Sequence, residues 1–86
     1  MIIRFHRNFE KQLGKLKKGE RAKLKGRIEI FLADEYNPLL NNHPLKGKYQ
    51  GYRSINISGD IRAVYKRWDK NVAVFIAIDE HSKLYR

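Results

Sequence analysis

The sequence predicts an α+β, two-layer domain: an N-terminal helical hairpin packed on a small antiparallel sheet, in the order β-α-α-β-β-β. Three observations predict it. Apolar residues recur with a helical period ahead of Pro38 and with a strand period after Tyr52. Two turn-forming triplets, Ser58-Gly59-Asp60 and Asp69-Lys70-Asn71, separate strand-like runs. The last run, VAVFIAI at 72–78, is almost continuously apolar, as a strand buried on both faces would be.

Each element has its own signal. IIRF at 2–5 is a short apolar strand, expected to complete one edge of the sheet. Phe9, Leu13 and Leu16 form a helical stripe that Lys11, Lys15, Lys17 and Lys18 avoid. Lys18-Gly19 reads as the stop of this first helix. A second helix starts near Glu20, with Leu24, Ile28, Phe31 and Leu32 as its stripe. It ends before Asn37-Pro38, because the residue preceding proline is pushed out of the helical region. Residues 39–51 read as a loop, marked by Pro44, Gly47 and Gly51. YRSINI (52–57), IRAVYKRW (61–68) and VAVFIAI then give an antiparallel meander, VAVFIAI is a central strand of the sheet, and DEHSKLYR is left as a tail. Residues 1–86 form one domain, short enough that its core is modest.

Composition narrows the function classes. Nineteen Lys+Arg against nine Asp+Glu leave a charge of +10. Such an excess on a small domain points to a polyanion, either nucleic acid or an acidic protein. The absence of cysteine excludes disulfides and thiolate metal sites and fits a reducing cytoplasm. No apolar run reaches membrane-spanning length, and residues 1–10 contain no signal-peptide core. Neither a glycine-rich phosphate loop nor a metal-binding histidine pair occurs, so no cofactor and no metal are expected.

What remains is a polar set at strand ends and in loops: His43, Arg53, Asn56, Asp60, Arg62, His81 and Tyr85. Strand alternation puts Tyr52, Ser54 and Asn56 on one face, and Arg53, Ile55 and Ile57 on the other. If Ile55, Ile57, Ile61, Ala63 and Tyr65 pack inward, Asn56 and Arg62 share the face away from the helices. An open basic face with aromatic neighbours suits single-stranded RNA. RNA can be cut by attack of its own 2′-OH, which needs a base, an acid and a cation. Histidine serves either proton-transfer role, and arginine's planar fork suits the phosphate. Simpler readings stand beside these. His6 reads as a surface or helix-capping residue, His43 could order its loop, and Asp60 suits a turn. Trp68 could cap the core edge or stack on a base.

The span 45–85 resembles the RelE/ParE superfamily of bacterial toxins from type II toxin–antitoxin pairs. The residues that carry the resemblance are L-x-G-x-x-x-G-Y-R (45–53), SGDIRAVYK (58–66), VAVFIAI and H-S-K-L-Y (81–85). His-Pro-Leu-x-Gly ahead of Gly-Tyr-Arg is most similar to the YafQ branch, ribosome-dependent mRNA endonucleases. That resemblance implies catalytic roles for His43, Asp60 and His81. Asn56 stands where that branch has a second histidine, and Ile61 where it has a tryptophan. Arg62 matches the phosphate-stabilising arginine of the RelE branch, and Tyr85 its C-terminal aromatic.

The resemblance therefore implies a toxin RNase that acts on translated mRNA by 2′-OH attack. His81 is then the general acid, Asp60 or His43 the base, Arg62 the phosphorane-stabilising cation and Tyr85 the residue that positions a nucleotide base. Lys46, Lys48, Arg53, Asn56 and Lys66 would bind RNA. Implied partners are a small acidic antitoxin, the ribosome with its mRNA, and operator DNA only through the antitoxin complex. Two alternatives belong to other classes: a ParE-like inhibitor of DNA gyrase that cuts nothing, and a degenerate toxin kept for antitoxin binding and operator control.

Overall fold

The computed structural model describes residues 1–85. Five strands form one sheet in the order β1-β5-β4-β3-β2: β1 Ile2–Phe5, β2 His43–Pro44, β3 Arg53–Asn56, β4 Ile61–Asp69 and β5 Val72–Glu80. Helices α1 (Arg7–Leu13) and α2 (Lys18–Ala33) belong to one layer, and a terminal turn of helix, α3 (His81–Leu84), follows β5. The two-layer α+β architecture is the one expected, with a mixed sheet. The meander β3-β4-β5 is antiparallel, but β1 joins the edge parallel to β5, with Ile2 beside Val72 and Phe5 beside Phe75. VAVFIAI, in β5, lies inside the sheet between β1 and β4, with packed residues on both faces.

Helix boundaries differ from the sequence pattern for local reasons. α1 stops at Gly14, and Lys18-Gly19 lies in the first turn of α2. Glu20 sets that start, because its carboxylate accepts from the Lys17 amide at 3.0 Å. His6 is the N-cap of α1: its Nδ1 accepts from the Asn8 amide at 3.0 Å. After α2, Asp34 and Asn37 turn the chain by accepting from the amides of Tyr36 and Leu39. The expected loop contains 3-10 turns at Pro38–Leu40 and Gly47–Tyr49, with the short strand β2 between them.

The main core lies between helices and sheet. Phe31 meets Tyr65 at 4.9 Å and Phe75 at 5.3 Å between ring centroids, while Tyr65 stacks on Phe75 at 5.1 Å. Phe9 of α1, Leu24 of α2, Ile55 of β3 and Ala63 of β4 complete it. Leu32 lies outside it, 48% exposed.

The apolar run of β5 hides an irregularity. Ala77 pairs with Val64, but Phe75 pairs with Tyr65, so Ile76 is an extra residue. Alternation therefore reverses: Ala73, Phe75 and Ile78 face the helices, while Ala77 faces away. Two α1 side chains hold the bulged backbone. Asn8 Nδ2 donates to the Ile76 carbonyl at 2.9 Å, and Gln12 Oε1 accepts from the Ile78 amide at 3.0 Å.

A polar network ties the segments just after α2 and just before β2 to β3 and β4. The Tyr65 hydroxyl donates to Glu35 Oε2 at 2.6 Å and accepts from Asn42 Nδ2 at 2.7 Å. Arg67 pairs with Glu35, and Arg53 Nε donates to Asn42 Oδ1 at 2.7 Å. Burial, and then the bond to Glu35, push the Tyr65 phenol far above its ordinary value of 10.0. The unfolded chain therefore releases this proton first as pH rises. The stabilisation is intact below pH 10.0 and is lost at about 1.4 kcal/mol per pH unit above it. Tyr65→Phe should abolish this share of the alkaline slope. It should also cost about 1–3 kcal/mol at neutral pH, where Glu35 and Asn42 lose their partner. Urea unfolding of both proteins at neutral and alkaline pH checks this.

Candidate active site on the sheet face opposite the helices

Cross-strand register assembles this face row by row. His43, Ser54, Val64 and Ala77 align across β2, β3, β4 and β5, and Asn56, Arg62 and Asp79 form the next row. Adjacent strands lie about 4.8 Å apart and same-face residues along a strand about 6.8 Å. The His43 and Arg62 backbones are then about 12 Å apart, a gap that two long side chains can close from opposite sides of a phosphate.

The tail expected after β5 folds back over this face, so the face is open only at its rim. Leu84 is buried on Val64 and Ala77, with Leu45, Tyr49, Tyr52, Ile76 and Tyr85 around them. Its apolar side chain gives α3 the reason to dock, and this second small core covers the centre of a surface that alternation alone leaves bare.

The corner where the β3–β4 turn meets α3 gathers three of the expected residues. The His81 amide donates to the Asp60 carbonyl at 2.9 Å, which fixes the start of α3 beside the turn. Both side chains are exposed. Arg62, half-buried, uses one guanidinium nitrogen for the carbonyls of Ser58, Gly59 and Ile61 at 3.1–3.2 Å. Among the described residues, its other nitrogens make no hydrogen bond, so they are available to an anion. The Tyr85 ring packs edge-on against His81 with centroids 4.8 Å apart.

His43 is oriented by its own loop. Asn41 adopts a left-handed conformation, φ 45°, and its carbonyl lies 2.8 Å from His43 Nδ1. A carbonyl only accepts, so Nδ1 carries the proton. In the neutral ring Nε2 then keeps a lone pair for accepting another proton.

Three buried side-chain atoms have no hydrogen-bond partner among the described residues: Ser54 Oγ, Asn56 Oδ1 and the Tyr85 hydroxyl. All three lie on this side of the sheet. Unpaired buried polar groups are costly in a folded domain, and their clustering marks a place where a polar ligand would satisfy them. Among the described residues, no group of three or more His, Cys, Asp or Glu side chains could hold a metal ion, and no helix is long and apolar enough to cross a membrane.

The other expected residues divide. Lys46 and Lys48 flank the Gly47–Tyr49 turn, and Lys66 Nζ lies 5.5 Å above the Tyr52 ring on the same face as Arg62. Arg53 is not brought to this face. It shares the side of Ile55, binds Asn42 and lies 5.3 Å from the Tyr36 ring. Trp68, 73% exposed, caps no core. Sequence reasoning missed the roles of Asn41, Tyr49 and Ser54. Only alternation along β3, which puts Ser54 beside Asn56, hinted at one of them.

Solved structures share this architecture. YafQ from E. coli strain BL21(DE3) superposes with a TM-score of 0.81 at 23% identity, covering 98% of this chain and 97% of that one. The YoeB/ParE toxin from Agrobacterium tumefaciens gives 0.78 at 20% identity, covering 94% and 99%. The E. coli DinJ–YafQ toxin–antitoxin complex gives 0.75 at 25%, covering 98% and 96%. No curated protein matches the chain by sequence. This two-layer fold is the one that these toxin structures share. Residues 1–86 match the family described as bacterial toxin of type II toxin–antitoxin system, YafQ. The chain belongs to that family and is the toxin component of such a system.

The orientation of His43 is directly measurable. A two-bond 15N–1H correlation spectrum of the neutral ring should show the Nδ1–H tautomer. A predominant Nε2–H form would mean that Asn41 does not hold the ring.

Proposed function

We propose that this toxin is a metal-independent endoribonuclease that cuts mRNA on the ribosome in the cytoplasm, with a small acidic antitoxin as its regulator. The observation that carries the reading is the corner where Asp60, Arg62 and His81 meet beside the unpaired Asn56 Oδ1. That corner can supply an acid and a cation around one phosphate, and His43 faces it across β3.

The reaction needs only these side chains. His43 Nε2 takes the proton of the ribose 2′-OH, and the 2′ oxygen attacks the adjacent phosphorus. The free nitrogens of Arg62 stabilise the charge that builds on the phosphorane oxygens. The bond to the 5′ oxygen breaks, and His81 donates a proton to that oxygen. The products are a 2′,3′-cyclic phosphate and a 5′-hydroxyl. Asn56 Oδ1 would accept from a ribose hydroxyl. Asp60 is the alternative base, and the unblocked Nε2 favours His43 over it. Lys46, Lys48 and Lys66 would add charge along the RNA, whereas Arg53 would act by holding β2 through Asn42. The +10 charge suits both the RNA and an acidic antitoxin, whose complex with the toxin would contact operator DNA.

Replacing one acid–base group should cost about 10²–10⁴-fold in rate. His81→Ala is therefore expected to relieve growth arrest and erase codon-positioned cuts in primer extension on cellular mRNA, while antitoxin binding persists. Full-strength arrest by the substituted protein overturns the role of His81. Intact mRNA with an SOS response to the wild-type toxin replaces the RNase reading with gyrase inhibition.

A further inference from the structure

We propose that Asp79 is a specificity-determining residue: its carboxylate accepts a hydrogen bond from the 2′-OH of the nucleotide on the 3′ side of the cut. The inference rests on the RNase reading above. It extends that reading to a second ribose, one that takes no part in the bond changes.

The chain alone places Asp79 near the head of the C-terminal tail. The fold places it in β5, cross-strand from Arg62 and in the row with Asn56. The bulge at Ile76 decides its side. Ala77 faces away from the helices and Ile78 toward them, so Asp79 returns to the face of Ala77 and Arg62. The residue is half-buried and its carboxylate is anchored by one oxygen. Oδ1 accepts from the Glu80 amide at 2.8 Å. Oδ2 has no partner among the described residues and is not one of the three buried unpaired atoms, so it opens onto the face.

A cross-strand ion pair with Arg62 would be the simpler role. The structure does not form it. Arg62 turns to the carbonyls of Ser58, Gly59 and Ile61, and no ion pair joins it to Asp79 among the described residues. Glu80, the next carboxylate along the chain, meets Lys83 at 3.8 Å. Asp79 is thus an unshared acceptor beside the cation assigned to the phosphate.

A carboxylate on a phosphate-binding face needs a donor from the ligand, because it can only accept. The sugar-phosphate backbone of RNA carries one kind of donor, the ribose 2′-OH. Strand order selects the ribose. Asn56 on β3 and Asp79 on β5 flank Arg62 on β4, with their backbones about 10 Å apart. His43 lies beyond Asn56 on β2, and His81 follows Asp79 by two residues. The nucleotide whose 2′-OH attacks therefore lies on the side of His43 and Asn56. The nucleotide that departs through its 5′ oxygen lies on the side of His81 and Asp79.

The test compares ribosome-bound mRNAs that are all-ribose or carry a single 2′-fluoro nucleotide just 3′ of the mapped cut. Fluorine removes the hydroxyl donor and leaves the attacking 2′-OH untouched. The wild-type chain should cut the fluoro mRNA about 10–100-fold more slowly in kcat/KM, as expected for one lost hydrogen bond to a charged acceptor. Asp79→Ala should cut the all-ribose mRNA that slowly and lose nothing more on the fluoro one. Asp79→Asn keeps an acceptor oxygen without the charge and should restore part of the discrimination. Equal rates of the wild-type chain on both mRNAs overturn the proposal, and that measurement needs no variant to fold. Discrimination that survives Asp79→Ala overturns it too, because another group then reads the hydroxyl. An altered base preference in that variant would assign the carboxylate to a base amine instead. A wild-type chain that leaves all-ribose mRNA intact sinks the RNase reading and this proposal together. Cutting without ribose discrimination sinks the proposal alone.

Discussion

The extra residue at Ile76 is the constraint on which both faces of this sheet depend. A regular β5 that sends Phe75 to the core would send Ala77 there too, and Ile78 to the opposite face. The bulge reverses this, so Ile78 fills the main core while Ala77 leaves a shallow floor opposite it. Leu84 can then lie on Val64 and Ala77, and α3 docks. A larger side chain on that floor would lift α3, and with it His81 and Tyr85. The hydrogen bonds from Asn8 and Gln12 tie the bulge to α1, so the N-terminal helix helps to position the C-terminal residues of the site.

A second constraint acts from the other edge. β2 is only two residues long, too short to be held by ladder hydrogen bonds alone. Asn42 compensates, because its side chain contacts the Glu35 carbonyl, the Tyr65 hydroxyl and Arg53 together. The residue immediately before His43 is thus fastened to the helix layer, and the residue before that orients its ring. Arg53 belongs to this scaffold. It points away from the face of Arg62 because strand alternation carries it to the side of Ile55.

The two small clusters on the sheet serve different ends. The aromatic core of Phe31, Tyr65 and Phe75 supplies stability. The cluster beneath α3 is thinner and borders unpaired polar atoms. Charge completes it: lysines at the Gly47–Tyr49 turn and on β4 ring a face whose centre is apolar.

Much of this was legible in the chain itself. Period, turns and prolines determined the α+β class, the helix pair and the three-strand meander, because those signals are local. Alternation placed Asn56 and Arg62 on one face for the same reason, and His6 was readable as a cap or surface residue beside its helix. Tertiary structure alone decided the parallel pairing of β1, the bulge, the docking of α3 and the bond from the His81 amide to the Asp60 carbonyl. Each depends on atoms far apart in sequence. An apolar run such as VAVFIAI reads the same with or without an extra residue, because every position in it is apolar. Only the partners across the sheet, and the two amide side chains on α1, determine where its alternation changes side.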